Sequence, residues 1–152
     1  FIALIGVAFT ALTVSANAAG HNVVIADVND PVSLRINVMQ NVGGAAAIAG
    51  GMLKGEIPFD SQVALGALKT INTAALGIQG LFPEGSDDNP RSTTAASIWS
   101  DPAGFNATIA KFIADSTANS KTAPADLAQL GASFGAVASN CKACHQTYRI
   151  KN

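Results

Sequence analysis

Cysteine and histidine are scarce in this chain, with two of each among 152 residues. A zinc site therefore lacks ligands, because His21 stands far from Cys141, Cys144 and His145 and no further cysteine exists. Runs of lysine or arginine are missing too, and the formal net charge is −1, which removes nucleic acid and anionic membrane surfaces from the expected partners. No second cluster of acids, histidines and nucleophiles stands out; Asp87-Asp88 lies in a polar loop and reads as a solvated turn. The expectation is a protein that is not an enzyme. No β-type alternating segment competes with the helical periodicity described below.

The apolar run FIALIGVAFTALTVSANAAG carries no charge and closes on Ala16-Asn17-Ala18, the A-x-A pattern of a signal-peptidase site. It is shorter than the ~20 residues that a membrane span requires. Residues 1–18 are accordingly expected to be a leader cleaved after Ala18. No initiator Met or basic segment precedes the run, so the leader reads as trimmed at its N-terminus. Export implies a periplasmic protein that is free of the membrane after cleavage. Residues 19–152 suffice for one domain with a single core.

Four segments carry helical periodicity. The first opens at Asn29-Asp30-Pro31, with Asp30 as cap and Pro31 at the first helical position, and ends at Lys54-Gly55. Val32, Met39, Val42, Ala46, Ala49 and Leu53 share one of its faces. The second follows Phe59-Asp60 and runs through Leu65, Leu68, Ile71 and Leu76 to about Gly80. A long polar connection, FPEGSDDNPRSTTAAS, precedes the third, which opens at Asp101-Pro102, places Phe105, Ile109, Phe112 and Ile113 together and fades near Ser120. The fourth follows Thr122-Ala123-Pro124, and Leu127, Leu130, Phe134, Val137, Cys141, Cys144 and Tyr148 recur at steps of three and four. Short connections between helices one and two, and three and four, favour antiparallel neighbours. The expected fold is all-α, an antiparallel up-down-up-down four-helix bundle. Gly43, Gly44, Gly50 and Gly51 inside the first helix each cost roughly 0.8–1.0 kcal/mol relative to alanine. Close approach of a helix or flat cofactor would explain them, and so would a kink or a compositional bias.

Cys141-Lys142-Ala143-Cys144-His145 is the C-x-x-C-H pattern of c-type haem attachment. The spacing sets two thiols one helical turn apart, matching the two vinyl-derived positions on one edge of a porphyrin. His145 follows directly and can give iron its proximal nitrogen. A redox dithiol, half a zinc site and a plain disulfide are the rivals. The first lacks a strand-helix setting and the second lacks ligands.

With SLRINVMQNVGG, GGMLKGEIPFD, GLFPEGS, SIWSDPAGF and CKACHQTYR in this order and separation, the chain resembles the cytochrome c′ family of class II c-type cytochromes. The resemblance implies one haem c held by thioethers to Cys141 and Cys144, with His145 as proximal iron ligand. It implies a role for Arg149 beside the proximal haem face and for Arg35 near the haem propionates. It also puts Met39 at the distal position and implies a homodimer formed through the first two helices.

Met39 separates two functions. In typical cytochromes c′ an apolar distal side chain leaves the iron pentacoordinate and open to nitric oxide and carbon monoxide. In the related low-spin cytochromes c-556 a methionine of this helix binds iron and favours electron transfer to a redox partner protein. Methionine occurs in both groups, and as core filler it needs neither role. Met52, near the end of the first helix, is the poorer ligand candidate. Arg35, PFD and SIWSD lean toward the gas-binding reading, with the His145/Met39 electron carrier as its alternative. A haem-free bundle closed by a Cys141–Cys144 disulfide is the third possibility.

Overall fold

The computed structural model describes residues 29–150; the expected leader, His21 and the division at residue 18 lie outside the described residues. Four long helices make up the fold: α1 (Pro31–Lys54), α2 (Ser61–Ile78), α4 (Pro102–Asn119) and α5 (Leu127–Tyr148). A 3-10 turn (Gln79–Leu81) extends α2, and a one-turn helix, α3 (Ser97–Ser100), closes the long connection. No strand occurs among the described residues, only an isolated antiparallel bridge between Thr94 and Arg149. This is the expected antiparallel up-down-up-down bundle.

Each long helix starts on an aspartate. Asp30 accepts from Val32 N at 3.0 Å, Asp60 from Gln62 N and Val63 N at 2.8 and 2.9 Å, Asp101 from Gly104 N at 3.0 Å, and Asp126 from Gln129 N at 2.8 Å. Sequence reading found three of these caps and missed Asp126, whose helix it began near Pro124. Each carboxylate satisfies amides that the first turn leaves without carbonyl partners. Asp60→Ala is expected to lower stability by about 1 kcal/mol, read as a lower urea midpoint at unchanged slope. Glycine ends α1: Gly55 adopts φ 74°, and the amides of Gly55 and Glu56 return to Met52 O and Gly51 O.

The core forms three layers along the bundle. At the end nearest the α1–α2 turn, Ala49, Met52, Ala64, Leu68 and Leu130 pack together. Ala45, Ala67, Ile71, Ala75, Phe112 and Val137 fill the middle. At the far end Ile78, Ile98, Phe105, Ile109 and Tyr148 make the third layer, against which Met39, Phe82, Trp99 and Cys144 are partly buried. Alanines on the facing sides of α1 and α2 allow those helices to lie close. Met52 belongs to the first layer, remote from the layer that contains Met39 and Cys144, which explains it as core filler.

Three residues expected inside are exposed: Leu53, Leu76 and Leu127. In α2 the inner face is taken by Ala75 and Ile78, one turn apart, which rotates Leu76 outward to 61% exposure. Leu127 sits in the first turn of α5, and Leu53 on the last turn of α1. The glycine question has a local answer: a Cβ on Gly51 would stand 2.7 Å from Ile57 Cδ1, where the chain folds back after Gly55. Gly43, Gly44 and Gly50 have open space at that position.

Candidate functional site

Between α1, the 82–97 connection, α4 and α5 lies a cleft of about 570 Å³. All six residues singled out from the sequence line it: Arg35 and Met39 from α1, Cys141, Cys144 and His145 from α5, and Arg149 just beyond. Apolar walls complete it, with Ile78 from α2 and Phe105, Ile109 and Phe112 from α4. The volume falls within the roughly 300–1,000 Å³ usual for cofactor sites.

Helical spacing alone aligns the α5 residues, because Cys141 and Cys144 are one turn apart and His145 is the fourth residue after Cys141. Both cysteines are half-buried free thiols. Burial pushes the Cys141 thiol up; burial and then the neighbouring Cys141 push up Cys144. Burial, and secondarily Arg149, lower the proton affinity of His145, although the residue remains open to solvent at the edge of the cleft. The neutral ring, with a nitrogen lone pair available, is the form a metal accepts.

Asn140 precedes the motif and is buried. Its Nδ2 donates to Asp115 Oδ2 at 2.8 Å and to Ala136 O at 3.1 Å, locking α5 onto α4 immediately before Cys141. Lys111 Nζ donates to the same carboxylate oxygen at 2.6 Å; hydrogen bonds from Lys111 and then Asn140 hold the Asp115 carboxyl below its usual range.

Arg35 is buried and heavily used. NH1 donates to Leu81 O at 3.0 Å and Ser86 Oγ at 2.8 Å; NH2 donates to Ser86 O at 3.0 Å and, more weakly, to Ser92 Oγ at 3.4 Å. The guanidinium also stacks over Phe82, 4.9 Å from the ring centroid. Phe82 in turn meets Phe105 edge-on, and Phe105 meets Tyr148, at 5.0 and 5.2 Å. Arg35 thus clamps the loop that walls the cleft, and among the described residues its Nε is the one donor nitrogen without an acceptor.

The far side of that loop is tied to the end of α5. Ala95 N donates to Tyr148 O at 3.1 Å and Ile150 N to Thr93 O at 2.8 Å, while Ser97 Oγ donates to Thr147 O at 2.6 Å. Arg149 is therefore extended and paired with Thr94, and its main chain is fixed by the loop rather than by the helix. Tyr148 Oη donates to Asp101 at 3.3 Å, close over Gly104, where a Cβ would stand 2.7 Å from that hydroxyl.

Sequence reading missed the loop contribution: Arg91, Ser92, Thr93 and Thr94 line the cleft, yet their composition signals only a polar connection. It also passed over Asn140, whose position one residue before the first cysteine was the available signal.

The family profile described as Cytochrome C′ matches residues 30–149. The chain belongs to the cytochrome c′ family. Cytochrome c-556 of Agrobacterium tumefaciens (strain II Chrys) is 34% identical over 120 residues, covering 79% of this chain and 97% of that protein. Cytochrome c′ of Rhodopseudomonas palustris is 34% identical over 122 residues, covering 80% and 83% respectively. A solved structure of cytochrome c′ from Rhodopseudomonas palustris superposes with a TM-score of 0.75 at 34% identity, covering 81% of this chain and 98% of that one. Members of the cytochrome c′ family carry a covalently attached haem c, and Cys141, Cys144 and His145 supply its C-x-x-C-H spacing here. The cleft fits that group: it is apolar in most of its lining and borders both thiols and the imidazole.

Proposed function

We propose that this cytochrome c′ family member is exported to the periplasm and uses its haem to bind small neutral gases such as nitric oxide and carbon monoxide. In this reading it can also pass single electrons. When bound, the haem supplies an iron centre for ligation and one-electron change. Cys141 and Cys144 tether it, and His145 offers the proximal nitrogen in its neutral form. Arg149 stands beside that face, its main chain pinned to Thr94.

The observation that carries the reading is the packing of Met39. It is partly buried against the layer of Ile78, Ile98, Phe105, Ile109 and Tyr148, as a wall residue would be. With Val42 and Ala46 it gives α1 an apolar surface toward the cleft, which favours neutral diatomics over ions. The second reading, a six-coordinate electron carrier with His145 and Met39 as axial ligands, draws support from the relatives named cytochrome c-556.

Export rests on the leader pattern in residues 1–18. A homodimer through α1 and α2 is consistent with exposed Ile48, Leu53, Val63 and Leu76 on those helices.

The deciding experiment is the EPR and optical spectrum of the matured ferric protein and of Met39→Leu, followed by carbon monoxide addition after reduction. A high-spin signal unchanged by the substitution, with ready gas binding, is the expected result. A low-spin signal that becomes high-spin in Met39→Leu would overturn it and make the protein an electron carrier.

A further inference from the structure

Tyr148 is the only tyrosine of the chain, and Trp99 is its only tryptophan. Both belong to or pack against the core layer that borders the cleft, and Cys144 packs against the same layer. Tyr148 is 7% exposed, lines the cleft and has the ring of Phe105 edge-on at 5.2 Å. Haem attachment and iron ligation give its phenol no task.

The two rings differ in where a proton could go. Tyr148 Oη donates to Asp101 Oδ2 at 3.3 Å, while Asp101 Oδ1 caps α4 through Gly104 N. Trp99 Nε1 donates at 3.3 Å to the carbonyl of Phe82, a far weaker proton acceptor than a carboxylate. Burial, and then the Asp101 charge, push the Tyr148 hydroxyl up, so the resting phenol keeps its proton. Loss of an electron reverses this, because an oxidised phenol is a far stronger acid than a carboxylic acid. A carboxylate within hydrogen-bond reach then receives the proton and eases the oxidation.

Reduced haem iron passes one electron as it becomes ferric, whereas hydrogen peroxide takes two to become water. The second electron has to come from the porphyrin or from a side chain. We propose that Tyr148 supplies it: the phenol O–H bond breaks, the electron passes to the haem, the proton moves to Asp101, and a neutral phenoxyl radical remains. In balance, one peroxide takes two protons from solvent and two electrons, one from iron and one from Tyr148, and becomes two waters. The path is short, since Cys144, an attachment point of the haem, packs against the layer that contains Tyr148. This role needs peroxide to reach the iron and so rests on the open distal side proposed above; Met39→Leu opens that side under either role of Met39.

The test is freeze-quench EPR of the haem-loaded ferrous protein mixed with one equivalent of hydrogen peroxide. The parent and Met39→Leu are compared, each with and without Tyr148→Phe or Asp101→Asn, after far-UV circular dichroism confirms the fold. A tyrosyl signal that is absent in Tyr148→Phe is the expected result. Asp101→Asn keeps a capping side chain at the start of α4 and is expected to slow formation of the radical on the order of a hundredfold. A tyrosyl signal in Met39→Leu but not in the parent would uphold the role of Tyr148 and refute the open distal side. No tyrosyl signal in either background, a tryptophanyl signal in its place, or formation at the parent rate in Asp101→Asn would overturn the proposal.

Discussion

Replacing Cys141 and Cys144 together by alanine is expected to abolish covalent haem. Extraction of the purified protein with acidified organic solvent should remove all haem absorbance from the double variant and none from the parent. The reason lies in the division of labour on α5. The two thiols form permanent bonds, whereas His145 alone offers one reversible nitrogen contact at the open edge of the cleft. Each single variant retains one attachment point, so covalent haem persists in both at reduced yield. If the double variant kept haem through extraction, attachment through these cysteines would be wrong. The loss should also reach the bundle, because the cleft takes its walls from α1, α2, α4, α5 and the loop. Partial loss of helical signal, and a broader unfolding transition, are the expected companions in circular dichroism.

Arg35→Leu is expected to cost roughly 3–5 kcal/mol, measured as a drop in urea midpoint on the haem-loaded protein. The change leaves Leu81 O, Ser86 O and Ser86 Oγ without the charged donor they share, and removes the stack over Phe82. Such a loss is a large part of the ~5–15 kcal/mol that keeps a domain folded. Arg35→Lys should recover only part of it, since an ammonium cannot reproduce the planar fork that grips the loop at Leu81, Ser86 and Ser92. A loss below about 1 kcal/mol in Arg35→Leu would show that the loop holds its shape without the clamp.

Much of this was legible in the amino-acid order. Asp-Pro pairs at residues 30–31 and 101–102 and the glycine at residue 55 set helix ends to within a residue, because caps act through their immediate neighbours. The C-x-x-C-H run was readable because its chemistry depends on spacing along one helix. What escaped was fixed across distance. Leu76 faces outward because α2 rotates to bury Ala75 and Ile78, a decision made by the neighbouring helices. The loop between Phe82 and Ser97 carries no periodic signal; its shape comes from Arg35 on one side and the main chain of residues 148–150 on the other. The resemblance implied a place for Arg35 near the haem carboxylates; its hydrogen bonds to Leu81, Ser86 and Ser92 join distant parts of the chain and left no signal in the sequence.

The bridge between Thr94 and Arg149 also bears on the order of folding. Helical bundles fold quickly because most of their contacts are local, but this bridge and the Arg35–Ser86 clamp each join residues some fifty positions apart. The core layers join residues even farther apart but are repaid by apolar burial, whereas these two contacts are repaid by a few hydrogen bonds, so both are expected to form after the bundle. Until they do, the helices can stand in place while the loop that walls the cleft is still open. In that order of events Cys141 and Cys144, half-buried once the wall is in place, would be most accessible before it closes, which would tie the tempo of folding to the window for haem attachment.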